Sequence, residues 1–545
     1  MKKNVLALSI ATMVGGLGFS GAAMAQAAFD VNESGTGVIQ IVPYFSAQDG
    51  NATVLHVVNT DANNAKAVKI RFRGASNSDD LLDFQVFLSP NDAWTGLASA
   101  NANGHLQLVT NDSSCTLPAE VRTQGVTLAP LDRLTNRLWD TVEKQRAQTR
   151  EGYIEILEMA SIPKAYGTDV GKDVNPLYTA VKHVKGTGGV MKAPCTDAAF
   201  TFLDTITDGG IAEAKVVKAA DKGPRLTAPT GALTASWYIM NVAKSTTFSG
   251  SATALQVTNV TTANAAVPVY APQKAQSLAV GMHSADPLFL TGAATTPAID
   301  RQDFDVPDLS TPLVTIAQTL ATAAPTQVMA NTQAGNLSAA INRASVHNQF
   351  YQDAGLNAAT DWVFSMPTRR YLVAANYGAK DYTKDVYNVS GTPSGGAAGA
   401  TDNVRYVHRN GVASAAANNK FNDAAKITVN AQGQICVVAD GQTFYDREED
   451  SITDGRVVSP GTAKKLNLCG EVHVATFGAA SPLGAAIATS NVDTSFGQGW
   501  GSVNFGSTAN NGVPVLGAAF TAAKNPNAAA GMVGNYGITW PHFYK

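Results

Sequence analysis

The sequence predicts a mainly β protein of antiparallel β-sandwich architecture, with one or two inserted helices and long loops. Short runs that alternate apolar and polar residues recur along the chain, and Asn, Asp, Gly and Ser separate them. In VKIRFR (68–73), Val68, Ile70 and Phe72 face one way and the three cations face the other. Repeated short strands with polar turns are typical of antiparallel sandwiches. Charged residues make up only 15% of the chain, against about 25% in an average globular domain.

A chain of 545 residues is too long for one hydrophobic core, so we expect two β-rich domains after a signal peptide. The first, residues 26–250, is predicted to be a β-sandwich with an inserted helix and a loop-rich excursion. Its strands are predicted from the runs GVIQIVPYF, NATVLHVVNT, KAVKIRFRG, LLDFQVFLS, HLQLVT, EGYIEILEMA and GALTASWYIMNVA. The helix is expected over about 130–148, because four apolar residues recur at helical spacing. They are Leu131, Leu134, Leu138 and Val142.

The second domain, residues 251–545, is also predicted to be β-rich. The run TIAQTLATAA (315–324) predicts a short helix, and a second series of strands follows it. In TDWVFSMPTRRYLVA (360–374), large apolar side chains alternate with smaller ones before Pro367, which is typical of a bent core strand. Arg369 and Arg370 are expected at the bend, where their side chains reach water or pair with an acidic loop at 446–450.

The first 25 residues predict a cleaved signal peptide. Lys2 and Lys3 precede an apolar stretch from Val5, and an Ala-Met-Ala cleavage site ends at Ala25. These are the three parts of a secretory signal. An N-terminal membrane anchor is the alternative. No later run has the roughly 18 apolar residues of a transmembrane helix, so we expect an exported protein at the cell surface or outside the cell, with the periplasm as the alternative.

Four cysteines follow the predicted signal peptide. They are Cys115, Cys195, Cys436 and Cys469. An even number of cysteines in an exported chain indicates two disulfides, for which three connectivities are open. The sequence-local pairs, Cys115–Cys195 and Cys436–Cys469, are favoured, because the second pair lies on two predicted strands. The spacing matches no zinc motif, and four unpaired buried thiols are the alternative.

Neither the charge nor the motifs of the chain indicate catalysis or nucleic-acid binding. The formal net charge is −3 and the pI is about 6.2, so we expect no broad basic surface. The eight histidines are scattered, and the sequence after the predicted signal peptide has no P-loop, GxGxxG or HExxH motif. We therefore expect a protein that is not an enzyme, has no nucleic-acid partner and needs no cofactor, with calcium as the one alternative.

The segment YDREEDSITDGR (445–456) is the densest acidic cluster. Its five carboxylates belong to Asp446, Glu448, Glu449, Asp450 and Asp454. We interpret the segment first as a solvated acidic loop that Arg447 and Arg456 partly neutralise. A calcium site is the alternative, since calcium prefers several oxygen ligands within one loop, although the spacing is not that of an EF-hand. A catalytic carboxylate pair is a third interpretation.

Aromatic residues are candidates for contacts with a sugar or a base. They are Tyr44, Phe45, Trp94, Trp500, Tyr536, Trp540, Phe543 and Tyr544.

Four segments resemble secreted surface proteins of Gram-negative bacteria, of the S-layer-like or otherwise uncharacterised kind. These are the stretch from IVPYFSAQDG to SPNDAWTG, REGYIEILEM, TDWVFSMPTRRYLV and NYGITWPHFY. The resemblance implies an immunoglobulin-like β architecture and a structural or adhesive role at the cell surface. It identifies no functional residues.

The first functional expectation is a structural surface protein that assembles into a layer, fibre or matrix, by self-association or with other surface components. The second is a secreted or periplasmic binding or adhesion module for carbohydrate or another surface, which a coplanar row of exposed aromatic residues would indicate. The third is an exported hydrolase whose site is built from distant residues.

Overall fold

The protein is described from a computed structural model. Its described residues are 28–128, 141–165, 174–196, 226–258, 307–315, 327–371, 427–453 and 465–545, except 77, 79, 313, 433, 507–511, 526 and 528–533. Isolated positions add 200, 266–267, 270, 273, 289–290, 374–375, 386–387 and 406–407. The predicted signal peptide, residues 1–25, lies outside these ranges.

The N-terminal region forms two antiparallel sheets. Its strands are β1 (Ala28–Val31), β2 (Ile39–Ser46), β3 (Ala52–Asn59), β4 (Ala65–Gly74), β5 (Asp80–Leu88), β6 (Ala93–Ala100), β7 (Leu106–Val109), β8 (Cys115–Leu117), β9 (Val126–Thr127), β10 (Glu151–Ile162), β11 (Val184–Lys185), β12 (Met191–Lys192), β13 (Leu233–Asn241), β14 (Thr246–Ser251) and β15 (Thr253–Thr258). Sheet A has the order β1-β15-β2-β10-β4-β5-β8, and sheet B has the order β14-β13-β3-β6-β7-β9. Strands β11 and β12 form a separate hairpin.

The C-terminal region forms three further sheets and several two-stranded pairs. Its strands are β16 (Ala266–Val267), β17 (Phe289–Leu290), β18 (Val314–Thr315), β19 (Asn342–Arg343), β20 (Ser345–Tyr351), β21 (Ala359–Ser365), β22 (Ala374–Ala375), β23 (Val386–Tyr387), β24 (Tyr406–Val407), β25 (Ile427–Val429), β26 (Ile435–Val438), β27 (Gly441–Tyr445), β28 (Ser451–Thr453), β29 (Asn467–Cys469), β30 (Val472–Phe477), β31 (Thr489–Asn491), β32 (Gln498–Asn504), β33 (Val513–Pro514), β34 (Leu516–Lys524), β35 (Asn535–Pro541) and β36 (Phe543–Tyr544). Sheet C has the order β28-β27-β32-β20-β36, sheet D the order β31-β30-β21-β34-β35 and sheet E the order β25-β26-β29.

The prediction of a mainly β protein with antiparallel sheets and few helices is confirmed. In sheets A to E the pairs are antiparallel except β30 with β31. The immunoglobulin-like connectivity remains a prediction. Strand β15 lies beyond residue 250 and pairs with β1 and β2 of sheet A; the division into domains at that residue also remains a prediction.

The described helices are short apart from one. They are α1 (Glu120–Thr123), α2 (Val142–Gln148), α3 (Pro176–Val181) and α4 (Gln327–Ala340). Of the helix predicted over 130–148, α2 is the described part, because residues 129–140 lie outside the described ranges. Thr141 caps α2 by accepting the Lys144 N–H. Val142 is 58% exposed, so it does not belong to a buried apolar stripe. Of the helix predicted at 315–324, Thr315 lies in β18 and the other residues are not described.

Strand β21 lies at the centre of sheet D and is buried on both faces. Trp362 and Phe364 belong to one core cluster, which they share with residues of sheet C such as Phe444. On the opposite face, Val363 belongs to the larger cluster that joins sheets A, B and D. There the ring of Phe520 lies 5.9 Å from that of Trp237.

Arg369 and Arg370 were predicted to reach water or to pair with the loop at 446–450, and this prediction is wrong. Both side chains are buried. Arg369 Nε donates to the Glu471 carboxylate at 2.6 Å, and Arg370 donates to the carbonyl of Ser78 in the N-terminal region. The Glu471 carboxylate satisfies the charge of the Arg369 guanidinium and also accepts the backbone N–H of Arg370, so both residues are hydrogen-bonded away from solvent.

Both faces of β4 are buried as well. Lys69, Arg71 and Arg73, which alternate with its apolar residues, are fully buried. Arg73 Nε lies 3.1 Å from Glu155 on β10, and Arg71 Nε donates to the carbonyl of Pro307 at 2.8 Å. The cations of this strand are therefore paired with neighbouring strands and a covering segment, although Nη1 of Arg73 has no hydrogen-bond partner among the described residues.

In the part of the chain that the structure describes, no helix has both the length and the apolar character needed to cross a membrane.

Candidate functional site

The four cysteines form the two disulfides favoured above. The Cα atoms of Cys115 and Cys195 lie 5.4 Å apart, and Cys436 and Cys469 face each other on β26 and β29. No described cysteine is free. The two bonds indicate an oxidising environment, such as that of an exported protein.

The acidic residues predicted to form a loop lie in the turn between β27 and β28. One oxygen of Asp446 accepts the backbone N–H groups of Glu448 and Asp450, each at 2.9 Å, so the turn is closed by its own first carboxylate. Among the described residues, no three Asp, Glu, His or Cys side chains converge as metal ligands. Because Asp454 lies outside the described residues, the five-residue calcium site remains a prediction.

A cleft of about 800 Å³ lies beside this turn. We call it the β27–β32 cleft. It is lined by Gln349, Phe350, Tyr351, Tyr445, Asp446, Arg447, Glu449, Gln498, Gly499 and Trp500. Trp500 is a predicted aromatic candidate and Asp446 and Glu449 are predicted acidic candidates, so the fold brings two separately predicted features together.

The sequence does not indicate that Tyr445, Gln349 and Gln498 belong to one site. Tyr445 and Trp500 are direct partners on β27 and β32, and Trp500 faces Gln349 on β20. This register joins residues about 55 to 150 positions apart, as read from their numbers, and a single sequence carries no signal for such pairing. The one sequence feature that links Tyr445 to this site is its position at the start of the acidic segment 445–456.

The other aromatic candidates divide between the core and the surface. Tyr44, Phe45 and Trp94 are fully buried, so the prediction that they contact a ligand is wrong. These three side chains pack in the hydrophobic core instead. Tyr536 and Trp540 are exposed on β35, as is Phe543 on β36, whereas the neighbouring Tyr544 is partly buried.

The exposed side chains of β35 form an apolar row at the edge of sheet D. Tyr536, Ile538 and Trp540 alternate along the strand and are 62%, 47% and 41% exposed. We call this row the β35 ridge. Thr539 points the other way, and its hydroxyl accepts the backbone N–H of Ser249 at 3.2 Å. The opposite side of β35 therefore contacts the edge of sheet B, while the ridge stays open.

Two buried carboxyl groups hold the loop at 478–488 between the N-terminal and C-terminal sheets. Asp361 accepts from the Ser481 hydroxyl at 2.5 Å and from the Leu483 N–H at 3.0 Å. Glu151 of β10 accepts from the Ala486 N–H at 3.0 Å. Burial raises the pKa of Glu151 to about 7 and that of Asp361 to about 6.

His183, which follows α3, connects three loops. Its Nδ1 lies 3.3 Å from Asp92 and 3.1 Å from the Ser89 hydroxyl, and its Nε2 lies 3.1 Å from the Ser113 hydroxyl. The hydrogen bond to Asp92 raises the pKa of His183. This arrangement has the connectivity of a Ser-His-Asp triad. However, Asp92 also accepts from the backbone N–H of Ser89 and from the Ser114 hydroxyl, as in a network that fixes loops.

Comparison of the chain with family models, curated proteins and solved structures finds no match. The fold alone does not determine a function, so these surfaces are the features that bear on it.

Proposed function

We propose that the protein is an exported structural protein of the cell surface that self-associates into a layer, fibre or matrix. The observation that carries the proposal is the β35 ridge. Three large apolar side chains in a row on an edge strand are costly to leave in water, and such exposed rows are typical of interaction surfaces. In a repeating surface assembly, the partner that covers the ridge is a second copy of the chain.

Two properties of the chain support this proposal. The disulfides Cys115–Cys195 and Cys436–Cys469 are those of a protein made for an oxidising compartment. The charged fraction of 15% is low, so little charge repulsion opposes close packing of many copies. Residues 1–25 provide the signal peptide in this proposal.

The test compares the mature wild-type protein with Ile538→Lys, which places a charge in the middle of the ridge. Analytical ultracentrifugation and negative-stain electron microscopy, with and without calcium, report the assembly. We expect sheets or filaments for the wild type and monomers for the variant, because a lysine on an edge strand opposes pairing. Val190→Lys is the matched control. Val190 is also an exposed apolar residue, but it lies between β11 and β12, outside the ridge.

Two results would contradict the proposal. The first is a wild-type protein that stays monomeric at high concentration with calcium present. The second is an Ile538→Lys variant that assembles as the wild type and the Val190→Lys control do.

A binding or adhesion module is the second candidate function, and the β27–β32 cleft is the observation that favours it.

A further inference from the structure

The β27–β32 cleft has the size and shape of a ligand site. Its volume of about 800 Å³ lies within the range of roughly 300–1,000 Å³ that is usual for small-molecule sites. Gly499 lines the cleft, and a Cβ atom there would lie 1.8 Å from the carbonyl oxygen of Tyr445. The close approach of β27 and β32 therefore requires glycine at this position.

One wall of the cleft is aromatic and is already ordered. The rings of Tyr445 and Trp500 are stacked, with centroids 4.5 Å apart and planes 14° from parallel. This contact limits the rotamers of both side chains, so these side chains would lose little conformational entropy when a ligand binds. Trp500 nevertheless remains 45% exposed. A ligand with C–H groups on one side would cover this apolar surface favourably.

The polar side chains around this wall include both hydrogen-bond donors and acceptors. The carboxylates of Asp446 and Glu449 accept, the guanidinium of Arg447 donates, and the amides of Gln349 and Gln498 do both. Asp446 is held in place by the two backbone N–H groups that it accepts within its own turn. Hydroxyl groups, which donate and accept, match such a mixed set better than a group of one kind does.

The charge of the cleft narrows the class of ligand. Among the described lining residues, the two carboxylates of Asp446 and Glu449 outnumber the one guanidinium of Arg447, so a phosphate or an acidic polymer would meet net repulsion from them. We propose that the β27–β32 cleft binds a neutral oligosaccharide, with the C–H side of a sugar ring on Trp500 and its hydroxyls on the surrounding carboxylates and amides. This inference is independent of self-association through the β35 ridge.

Equilibrium dialysis of the mature protein tests the inference, because it measures binding whether or not the protein assembles. The probes are fluorescently labelled dextran, mannan and galactan oligosaccharides, with labelled oligogalacturonate as an acidic comparison. The variants are Trp500→Ala, which removes the aromatic surface, and Gln349→Ala, which removes one exposed amide. Trp540→Ala of the β35 ridge is the matched control, since it also removes an exposed tryptophan.

We expect saturable binding of at least one neutral oligosaccharide by the wild type. Trp500→Ala should weaken it at least about tenfold, and Gln349→Ala should weaken it by a smaller factor. Trp540→Ala should bind as the wild type does, even where it impairs assembly. If Trp500→Ala does not fold, Gln349→Ala decides the question, because its side chain is exposed. No binding of any neutral probe, binding of oligogalacturonate alone, or binding that neither cleft variant weakens would each overturn the inference.

Discussion

Arg369 and Glu471 form a buried ion pair, with Arg369 Nε donating to Glu471 Oε2 at 2.6 Å. The other carboxylate oxygen accepts the backbone N–H of Arg370 at 2.7 Å. The backbone N–H of Glu471 donates in turn to the carbonyl of Ala75 at 2.7 Å. Ala75 immediately follows β4, so this pair lies where the C-terminal sheets contact sheet A.

Glu471→Ala is therefore expected to destabilise the protein strongly. The change leaves the Arg369 guanidinium buried without its partner, which typically costs about 3–5 kcal/mol in the free energy of unfolding. Guanidinium chloride unfolding followed by tryptophan fluorescence measures the loss. Glu143→Ala is the control: Glu143 pairs with Arg150 at 3.0 Å but is 68% exposed, so we expect at most about 1 kcal/mol. Equal losses in the two variants would contradict the prediction.

Glu151 is expected to make stability depend on pH near neutrality. Burial raises the pKa of this carboxyl to about 7 in the folded protein, whereas a glutamate in the unfolded chain titrates near 4.3. The folded state therefore binds the proton more tightly, so the stabilisation that protonation gives is complete below about pH 4 and is lost as the pH rises through 7.

The measurement is the difference in free energy of unfolding between the wild type and Glu151→Gln from pH 5 to 8. As the pH rises, we expect the free energy of unfolding of the variant to increase relative to that of the wild type by on the order of 1–3 kcal/mol. Burial lowers the pKa of His473 and His542 to about 4. These two histidines therefore make the folded state more stable as the pH rises towards 6.5, which is opposite to the effect of Glu151. That effect is common to both proteins and cancels in the difference. A pH-independent difference would contradict the prediction.

The strands could be predicted from the sequence because their signal is local. The runs GVIQIVPYF and EGYIEILEMA became β2 and β10, and QICVVADG became β26. The alternation in β4 correctly separated two faces, but it did not indicate that the cationic face would be buried. Lys69 and Arg71 pair with Asp83 and Asp80 on the next strand, β5. Arg73 instead pairs with Glu155, which comes from a strand more than 80 residues away, and a single sequence does not show which distant strands are neighbours.

The same limit applies to the candidate site. The sequence predicts the acidic run as a solvated loop or calcium site and Trp500 as a contact for a sugar or a base, and only the register of β27 with β32 brings them together. Arg369 and Arg370 are predicted to reach water or to pair with an acidic loop because they follow the bend at Pro367. The carboxylate that binds the Arg369 side chain and the Arg370 backbone N–H belongs to Glu471, 102 and 101 positions away, and no local pattern links it to them.

Gly501 is expected to be intolerant of any side chain, because it lies against the core of sheets C and D. A Cβ atom there would lie 2.3 Å from the ring of Phe444 and 3.1 Å from that of Trp362, and both rings are packed in a cluster that cannot readily expand. Gly501→Ala should cost about 1–3 kcal/mol in the free energy of unfolding. At Gly497 the nearest atom is 3.4 Å away, so Gly497→Ala should be close to neutral. Similar midpoints of denaturation for the two variants would argue against this packing.

Ser113 is expected to be unreactive although it lies 3.1 Å from His183 Nε2. In a hydrolase the carboxylate orients the histidine alone, whereas here Ser89 lies nearer to His183 Nδ1 than Asp92 does. We therefore expect His183 to fix loops rather than to act as a general base. A fluorophosphonate probe, which labels activated serines, should not label the folded protein. Labelling that Ser113→Ala abolishes and Ser89→Ala preserves would contradict this prediction and favour the hydrolase alternative.

His183 should instead affect stability. The hydrogen bond to Asp92 raises the pKa of His183 above its ordinary value, so the charged imidazole stabilises the fold below about pH 6.5, and this contribution is lost as the pH rises through the raised pKa. His183→Gln should remove that dependence, and the difference from the wild type in free energy of unfolding should shrink between pH 6 and 8. Exposed Gln349→Ala, which touches none of these loops, is the control and should give a difference that does not change with pH. A His183→Gln difference that is equally flat would show that the charged histidine has no such role.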